Sequence, residues 1–542
     1  MSVASSVVPT TGQPGPAPAP GPQPAPQTAG QQPAGRPTAG QRTTEHLKTN
    51  ALGARSITFL VVAAAAPLTV MAGVAPLAIL VGGIGAPAGY LAAGAVLMLF
   101  AVGFMAMTRH TGGAGAFYSY ITLGLGRTTG MASGILAVVA YNALQIGVYG
   151  LLGQQISDAV ATFTGVTAPW WAYALAAMAI VWFIGRRGVD VGAKLLGVLL
   201  IAETAILALL VVAVIVKGGA DGAAPLNADS FTPSAMFAPG MVGVLAFAFA
   251  AFMGFESTAL YHSEARNPER TIPRATYTAV IFMGLFYCLV VWAIIQAFGN
   301  DRVMAAAAAD PATLFFVAME HYVGIWASDV MYVLIMTSVL ASQIAFHNAI
   351  NRYTFNLARD GILPTRLAHT HRRFGSPSTA GTAQTVLAVV VVGLFAVFGA
   401  DPYLDLLLKV NTPGIVGIIG LQAITSVAVV AYFVRRRHTV NARLAIACAA
   451  IAAVLLTAAV LALAINIDLL TAAGTTTNIL LVGLVPLTLL VGVIAARIRK
   501  ARRPEVYARI GGAHLEDGHI PAPEPVDTEA EADDSGPKGA RS

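Results

Sequence analysis

Two carboxylic acids lie where ionisable groups are rare, in long apolar stretches of the sequence. Glu203 is about ten residues into AKLLGVLLIAETAILALLVVAVIV, and Glu256 directly follows the stretch LAFAFAAFMGF. Such a group is costly unless it is paired or faces a cavity, and a low-dielectric environment favours its neutral form. Glu203 is therefore a candidate for proton exchange. Glu256 is a candidate for gating or for capping a helix, because a carboxylate is favourable at a helix N-terminus.

Helix-breaking residues interrupt two of the apolar segments. The first segment has Pro67 and Pro76 on either side of residues 69–73, and the sixth has the step GFES at 254–257. An interrupted helix is tolerated in lipid only where protein or a cavity surrounds it, so breaks at equivalent positions of two five-span units indicate a transport site. The alternative is that the prolines are packing kinks, since Pro and Gly are common in membrane helices.

The composition requires that lipid solvates most of the chain. Of the 542 residues, 56% are hydrophobic and 11% are charged, whereas a soluble domain is about a quarter charged. Apolar segments of about 17 to 25 residues, each able to span roughly 30 Å of hydrocarbon as a helix, predict twelve membrane spans. Their predicted positions are 57–81, 88–108, 128–156, 170–185, 194–216, 239–262, 275–298, 326–351, 377–398, 407–434, 443–466 and 478–497.

Basic residues are distributed unevenly among the connections between these spans. The connections after the even-numbered spans carry seventeen Lys and Arg residues, Arg352 among them, whereas the opposite ones offer little beyond Lys217 and Arg302. Because cytoplasmic loops retain Lys and Arg, both termini are predicted to be cytoplasmic. The mild excess of 32 basic over 26 acidic residues follows from this topology, so nucleic acid is not an expected partner.

The two ends of the chain differ in composition from the apolar middle. Residues 1–50 are rich in Pro, Ala, Gly and Gln, and residues 501–542 are polar and become acidic. Both are predicted to be disordered tails on either side of a domain of residues 51–500. Cys288 and Cys448 fall in apolar segments without His or Cys at metal-ligand spacing, so neither a metal nor a cofactor is predicted.

Three longer motifs carry a family resemblance. They are GFESTALYHSEARNPERTIPRA (254–275), TGGAGAFYSYITLGLGRTTGMASG (111–134) and NRYTFNLARDGILP (351–364). In that order they resemble the sixth-helix signature, the re-entrant segment before helix 3 and the end of helix 8 in the amino acid–polyamine–organocation (APC) permeases. The resemblance covers about residues 50 to 500.

The resemblance implies an all-α integral membrane fold of twelve transmembrane helices, a LeuT-like 5+5 inverted repeat with broken helices 1 and 6. The repeats would be 57–216 and 239–434, followed by two extra helices at 443–497. One feature departs from the family. Its first helix usually breaks at G-[ST]-G-I, whereas this chain reads MAGV at 71–74 and keeps one of those glycines.

A zwitterion suits two broken helices, because free amides at the start of a half-helix favour an anion and free carbonyls at an end favour a cation. We expect a substrate carboxylate near the amides of Ala72 and Gly73, and its ammonium near the carbonyls of Phe252 and Phe255. The resemblance implies that an aromatic ring of helix 6 closes over the substrate; ordinary helix packing is the alternative for both rings. The predicted substrate-binding residues are Thr69, Met71, Ala72, Gly73, Val74, Phe252, Gly254, Phe255 and Glu256.

Other polar residues are candidates for lining or gating a path. Tyr141, Asn142 and Gln145 form a polar stripe in span 3, which either lines the path or bonds between helices. Glu264 and Arg270, at the predicted cytoplasmic end of span 6, form either part of an ion-pair latch or part of a solvated loop whose charges set the topology.

The predicted function is secondary transport of an amino acid or a related small amine across the cytoplasmic membrane by alternating access, with a proton as coupling ion. Glu203 resembles in position a Lys of many family members, so its protonation would couple to binding; a structural hydrogen bond to carbonyls of helix 1 or 8 is the alternative. An amino acid or amine exchanger (antiporter) and a nutrient sensor on a transporter fold remain alternatives. An enzyme is not expected, because the sequence gathers no nucleophile or metal constellation, and a channel would need more polar residues.

Overall fold

The described part of the chain is helical. A computed structural model describes residues 52–111, 116–187, 189–220, 222, 224–436 and 442–511. Among these residues the β pairings are two isolated bridges, Leu52 with Ala265 and Gly219 with Ala224. The predicted N-terminal tail, residues 512–542 and positions 112–115 of the re-entrant motif lie outside the described residues.

The α-helices follow one another along the chain with short connections. They are α1 (Ala54–Ala65), α2 (Pro67–Gly73), α3 (Ala75–Gly82), α4 (Ala86–Thr111), α5 (Ala116–Leu125), α6 (Arg127–Thr164), α7 (Trp170–Arg186), α8 (Val189–Lys217), α9 (Pro233–Met236), α10 (Met241–Ala251), α11 (Pro268–Phe298), α12 (Val303–Ala309), α13 (Leu314–Tyr322), α14 (Ile325–Arg359), α15 (Ser378–Val397), α16 (Asn411–Arg435), α17 (Arg443–Ile465), α18 (Asp468–Thr471), α19 (Thr475–Arg502) and α20 (Pro504–Arg509). The 3₁₀ helices are Gly83–Gly85, Asp229–Phe231, Phe255–Glu264 and Thr365–Ala368, and Pro402–Val410 is a π-helix.

Eleven helical segments among the described residues are long and apolar enough to cross a membrane. Each predicted span overlaps one or more of the described helices, but predicted span 170–185 corresponds to α7, which is shorter than those eleven segments. Large apolar side chains such as Val198 and Leu461 are 67% and 59% exposed, as expected for surfaces solvated by lipid. Of the eleven, α17 and α19 are the least buried, which places them at the periphery.

The first predicted span is divided into three helices. Ala66 separates α1 from α2 and adopts a left-handed conformation, with φ 47°. Pro67 is the first residue of α2, where its missing N–H is harmless and its fixed φ suits a new helix. Pro76 likewise lies in the first turn of α3. At Pro67 the helix is interrupted at the left-handed Ala66, so the packing-kink alternative is wrong there; Pro76 follows the milder irregularity at Val74, across which helical hydrogen bonds continue.

The sixth predicted span is interrupted at the GFES step. After α10 ends at Ala251, Gly254 adopts φ 109° and the chain continues as the 3₁₀ helix Phe255–Glu264. Glycine takes this φ without the strain that a Cβ would cause. An added Cβ would also lie 2.9 Å from the Cβ of Ala64, so Gly254 allows the two interrupted helices to touch.

Small residues also bring the surrounding helices close together. A Cβ added at Gly94 in α4 would lie 3.2 Å from the Cα of Gly284 in α11, and one added at Gly124 in α5 would lie 2.7 Å from the Cα of Ala428 in α16. Such close approaches are a main source of helix association in lipid, where the hydrophobic effect does not drive helices together.

The packed part of the chain extends beyond the domain boundary predicted at residue 500. α19 continues to Arg502 and α20 follows it. The Tyr507 hydroxyl lies 2.9 Å from that of Thr128 in α6, and Ile510 is buried. Residues 501–511 therefore pack onto the helical domain, which corrects the predicted start of the C-terminal tail.

Replacement of Gly124 by Ala tests the packing of α5 on α16. The new methyl group would meet the backbone of Ala428, and overpacking of this kind costs about 1–3 kcal/mol. We expect a lower midpoint of thermal unfolding for the detergent-purified protein. Gly393→Ala in α15 is the matched control, because a Cβ there has no atom of the described residues within 4 Å; its midpoint should be unchanged or raised. Equal midpoints for the two variants would contradict this packing.

Candidate functional site

Glu203 connects the first break to two neighbouring helices. Its side chain lies on α8 and is 1% exposed. Oε2 accepts hydrogen bonds from the backbone N–H of Leu68, at 3.3 Å, and from the hydroxyl of Ser338 in α14. Oε1 has no partner among the described residues. Glu203 thus accepts one of the amides that lack an intrahelical partner at the start of α2, rather than donating to a carbonyl as the structural alternative supposed.

A second contact holds the end of α1. Ser342, one turn after Ser338 on the same face of α14, donates to the carbonyl of Ala64 at 2.6 Å. The end of α1 is therefore bonded to α14 directly, and the start of α2 is bonded to α14 through Glu203. These contacts bond the backbone on both sides of the left-handed residue Ala66.

Glu256 caps the second break. The buried carboxylate accepts hydrogen bonds from the Gly254 N–H, at 3.1 and 3.3 Å, and from the Tyr141 hydroxyl of α6, at 2.5 Å. Ser257 donates to the Gly254 carbonyl at 2.6 Å. Of the two roles that the sequence left open for Glu256, these contacts support capping, and Tyr141 connects the cap to α6.

A cavity of about 140 Å³ adjoins both breaks. Residues 64–66 line it at the first break and residues 250, 251 and 253 at the second, while α6, α14, the π-helix Pro402–Val410 and the start of α16 contribute further walls. An engineered protein cavity of about 150 Å³ holds benzene, so this space suits a small organic molecule.

Two of the predicted substrate-binding residues line the cavity, namely Thr69 and Val74. The seven others do not: Met71, Ala72, Gly73, Phe252, Gly254, Phe255 and Glu256. Because α2 runs from Pro67 to Gly73, the amides of Ala72 and Gly73 lie in its last turn instead of at a free helix start. The expected position of the first break is corrected to Ala66, and Val74, with φ −119°, is a milder irregularity.

The two rings predicted to close over a substrate belong to the helix packing. Phe252 lies edge-on to Tyr287 with ring centroids 5.8 Å apart, and Phe255 lies edge-on to Phe100 at 5.9 Å. These contacts support the packing alternative for both rings. Other aromatic side chains line the cavity, namely Phe247, Phe346 and Tyr403. The sequence did not single them out, because nothing local distinguishes them from other aromatic residues in apolar helices.

A buried ion pair lies on the other side of the second break. Arg352 in α14 donates two hydrogen bonds to the carboxylate of Glu264, at 2.5 and 2.9 Å, and both side chains are 2% exposed. The guanidinium also donates to the Asn348 carbonyl at 2.9 Å and lies 4.9 Å from the centroid of the Tyr261 ring. Glu264 comes ten residues after Gly254, whereas the cavity-lining residues of this segment come before it.

This pair replaces the predicted latch. Arg270 is exposed, and Glu264 pairs with Arg352 instead. The sequence placed Arg352 in a loop because the predicted span ended at residue 351, but α14 continues to Arg359. The backbone of Leu52 closes over the same end of the 3₁₀ helix, where its N–H donates to the Glu264 carbonyl at 2.9 Å.

The predicted polar stripe of α6 bonds to protein and does not line the cavity. Tyr141 contacts the cap described above, and Asn142 donates to the carbonyl of Val138 in its own helix at 2.7 Å. The Gln145 side chain donates to the backbone carbonyl of Gln343 in α14 at 3.2 Å, and the Gln343 side chain donates to the backbone carbonyl of Gln145 at 3.1 Å. The interhelical-bonding alternative therefore holds for Gln145.

Two interrupted helices that meet at a cavity within a many-helix membrane chain are the architecture of a membrane transport protein. Comparison with known families agrees with this class, because residues 52–493 match the family described as Amino acid permease. The chain therefore belongs to the amino acid permease family, and the resemblance to the APC superfamily is confirmed.

Three relatives illustrate the family. An uncharacterized transporter of Mycobacterium tuberculosis is 29% identical over 282 residues, which are 52% of this chain and 57% of the relative. The L-methionine/branched-chain amino acid exporter YjeH of Escherichia coli is 31% identical over 32% of this chain and 42% of its own. The low-affinity putrescine importer PlaP of Escherichia coli is 22% identical over 57% of this chain and 66% of its own. The matched region thus spans less than two thirds of each relative's length.

Removal of one partner tests the buried ion pair. Arg352→Gln leaves the Glu264 carboxylate buried without its counter-charge, which costs about 3–5 kcal/mol. We expect a large drop in the thermal unfolding midpoint of the purified protein, and a smaller drop for Arg352→Lys, which keeps the charge but loses the bidentate geometry.

The control is Lys409→Gln, which breaks the partly exposed pair between Lys409 and Asp405 and should cost less than about 1 kcal/mol. Similar drops for Arg352→Gln and Lys409→Gln would contradict the assignment of the Glu264–Arg352 pair as a buried, desolvated contact.

Proposed function

We propose that this protein is a secondary active transporter that moves an amino acid or a related small amine across the cytoplasmic membrane by alternating access. The observation that carries the proposal is a cavity at two broken helices with a buried ion pair, Glu264–Arg352, beyond it on one side. In alternating access the site is open to one side of the membrane at a time, and a site closed on one side corresponds to one of these two conformations. The other half requires the ion pair to separate and the opposite side to close.

The proposal includes twelve spans arranged as two inverted five-helix repeats. If α7 is the fourth span, the breaks at Ala66 and Gly254 fall in spans 1 and 6, as this arrangement requires. Residues 57–216 and 239–434 would form the repeats, and α17 and α19 would be the additional spans. The excess of basic residues after even-numbered spans supports two cytoplasmic termini.

The backbone at the first break is suited to a zwitterion. The end of α1 carries the negative end of a helix dipole, which favours an ammonium, and the start of α2 carries the positive end, which favours a carboxylate. Ser342 and Glu203 already bond the Ala64 carbonyl and the Leu68 amide, so the substrate would interact with the remaining field of the two helix ends. Residues 64–66, which contain this break, line the cavity. We infer that the charged groups of the substrate bind here. The Thr69 hydroxyl, buried and without a partner among the described residues, is a further polar contact.

The relatives support substrates of this kind. One is named for L-methionine and branched-chain amino acids and another for putrescine, and all of these carry an amine. An exchanger would use the same cavity and would differ in that the empty protein could not change conformation. A nutrient sensor would bind without moving its ligand across the membrane.

We propose that Glu203 couples transport to protons. When ionised, it accepts the Leu68 amide at the start of α2, next to the inferred substrate site. Protonation would weaken its interaction with the dipole of α2 and turn one oxygen into a donor. The unpartnered Oε1 leaves an oxygen at which this proton can bind. Substrate binding at the break and protonation of Glu203 would therefore influence each other.

Glu203→Gln separates capping from ionisation. The amide oxygen of glutamine can still accept from Leu68, whereas the side chain no longer titrates. We expect uptake into proteoliposomes to lose its dependence on pH while exchange of labelled for unlabelled substrate continues. Glu256→Gln is the control, because that carboxylate caps the second break: it should slow transport but leave the pH dependence in place. Unchanged pH dependence in Glu203→Gln would show that another group binds the proton.

Reconstitution tests the function itself. Accumulation of a labelled amino acid or amine in proteoliposomes under an inward proton gradient supports proton-linked transport. Counterflow exchange without such accumulation indicates an exchanger. If both are absent while a substrate shifts the thermal unfolding midpoint, the transporter proposal is wrong and the sensor is favoured.

A further inference from the structure

The cavity beside the two breaks is lined almost wholly by apolar side chains. Among the residues that the structure describes, 23 line the cavity; four of these carry polar side chains and none is charged. The four are Thr69, Ser342, Tyr403 and Asn411. A molecule bound here contacts hydrocarbon over most of its surface, so its charged groups must lie at the backbone of the breaks or beside one of these four polar side chains.

The two carboxylates nearest the breaks are not placed to serve a cationic side chain. Glu256 accepts from Tyr141 and Gly254, Glu203 holds the amide of Leu68, and neither carboxylate lines the cavity. A second ammonium, as in a diamine or in lysine, would be buried without a counter-charge. Such burial is strongly unfavourable.

One face of α6 forms an aliphatic wall of the cavity. Leu144, Val148 and Leu151 all line it, and their i, i+4, i+7 spacing places them on one side of the helix. Leu407 and Leu408, from the π-helix Pro402–Val410, also line the cavity.

Two glycines of α6 allow the π-helix to lie close to this wall. A Cβ at Gly147 would lie 3.1 Å from the carbonyl oxygen of Leu406, and one at Gly150 would lie 3.0 Å from the Cβ of the same residue. The backbone contact limits the width of the space between α6 and the π-helix. We call the part of the cavity between these two walls the slot; leucine and valine side chains from both walls line it.

We propose that the substrate is a neutral amino acid with an apolar side chain, which lies in the slot between Val148 and Leu407 while the α-ammonium and α-carboxylate bind at the Ala66 break. The inference rests on the proposed transport function and narrows it. Leucine, methionine and valine fit this description. Lysine and putrescine are excluded, because each would bring a second ammonium into the apolar slot.

The test is counterflow in proteoliposomes that contain the full chain. Each batch is loaded with unlabelled leucine, methionine, valine, lysine or putrescine, and uptake of the same labelled compound is measured. The three neutral amino acids should exchange at least about tenfold faster than lysine and putrescine. Exchange of lysine or putrescine at the leucine rate overturns this inference and leaves the transporter proposal standing. If none of the five compounds exchanges or accumulates under a proton gradient, this inference is overturned, and the transporter proposal is overturned with it only if no other amino acid or amine is transported.

Substitutions at Val148 locate the side-chain slot. Val148→Phe should lower leucine counterflow at least about tenfold, with alanine less affected, because the ring occupies the slot. The matched control is Val139→Phe on the same helix, where the side chain is 42% exposed, and leucine counterflow should not change.

A second variant keeps the test valid if Val148→Phe does not fold. Val148→Ala enlarges the slot and should shift the preference from valine toward phenylalanine. If Val148→Ala, and Val148→Phe where it folds, keep the wild-type preference among neutral amino acids, the side chain does not bind against this wall and the inference is wrong.

Discussion

The structure depends on how a broken backbone is satisfied away from water. Lipid offers no hydrogen-bond partners, so each interrupted helix must find them within the protein. At Ala66 they are Glu203, which accepts an amide, and Ser342, which donates to a carbonyl. At Gly254 they are Glu256 and Ser257, arranged with the same division between acceptor and donor. The two buried carboxylates thus have the same structural role: each accepts a hydrogen bond from a backbone amide at a helix break.

These partners belong to long neighbouring helices, so the breaks are connected to the rest of the bundle. Glu203 and Ser342 join the first break to α8 and α14, and Tyr141 joins the second break to α6 through Glu256. Movement of either half-helix requires some of these bonds to be exchanged for others. The Glu264–Arg352 pair adds a further contact that must separate if the far side is to open. Under the proposed transport cycle, these few buried polar contacts are the ones that must change between conformations.

Much of the architecture could be predicted from the sequence, because lipid solvation requires apolar segments of a fixed length and because Gly254 and Glu256 mark their break locally. The first break was predicted at residues 69–73 but lies at Ala66. Two prolines and one glycine in this segment are compatible with several break positions, and an alanine gives no local indication that it adopts a left-handed conformation. Glu264 and Arg352 are far apart in the chain, so no local pattern predicts their pairing. The predicted span also ended at residue 351, whereas α14 continues to Arg359 and therefore contains Arg352. Which residues line the cavity, Leu407 among them, is decided by tertiary packing, and the periodicity of the sequence does not predict it.

We propose that Glu203, through its hydrogen bond to the Leu68 amide at the start of α2, links protonation to substrate binding. Isothermal titration of leucine into the purified protein, repeated in buffers with different ionisation enthalpies, measures the protons exchanged on binding. We expect heats that depend on the buffer for the wild-type protein and heats that do not for Glu203→Gln, with binding retained in both. Equal proton exchange in the wild-type protein and in Glu203→Gln would contradict the proposed role of Glu203.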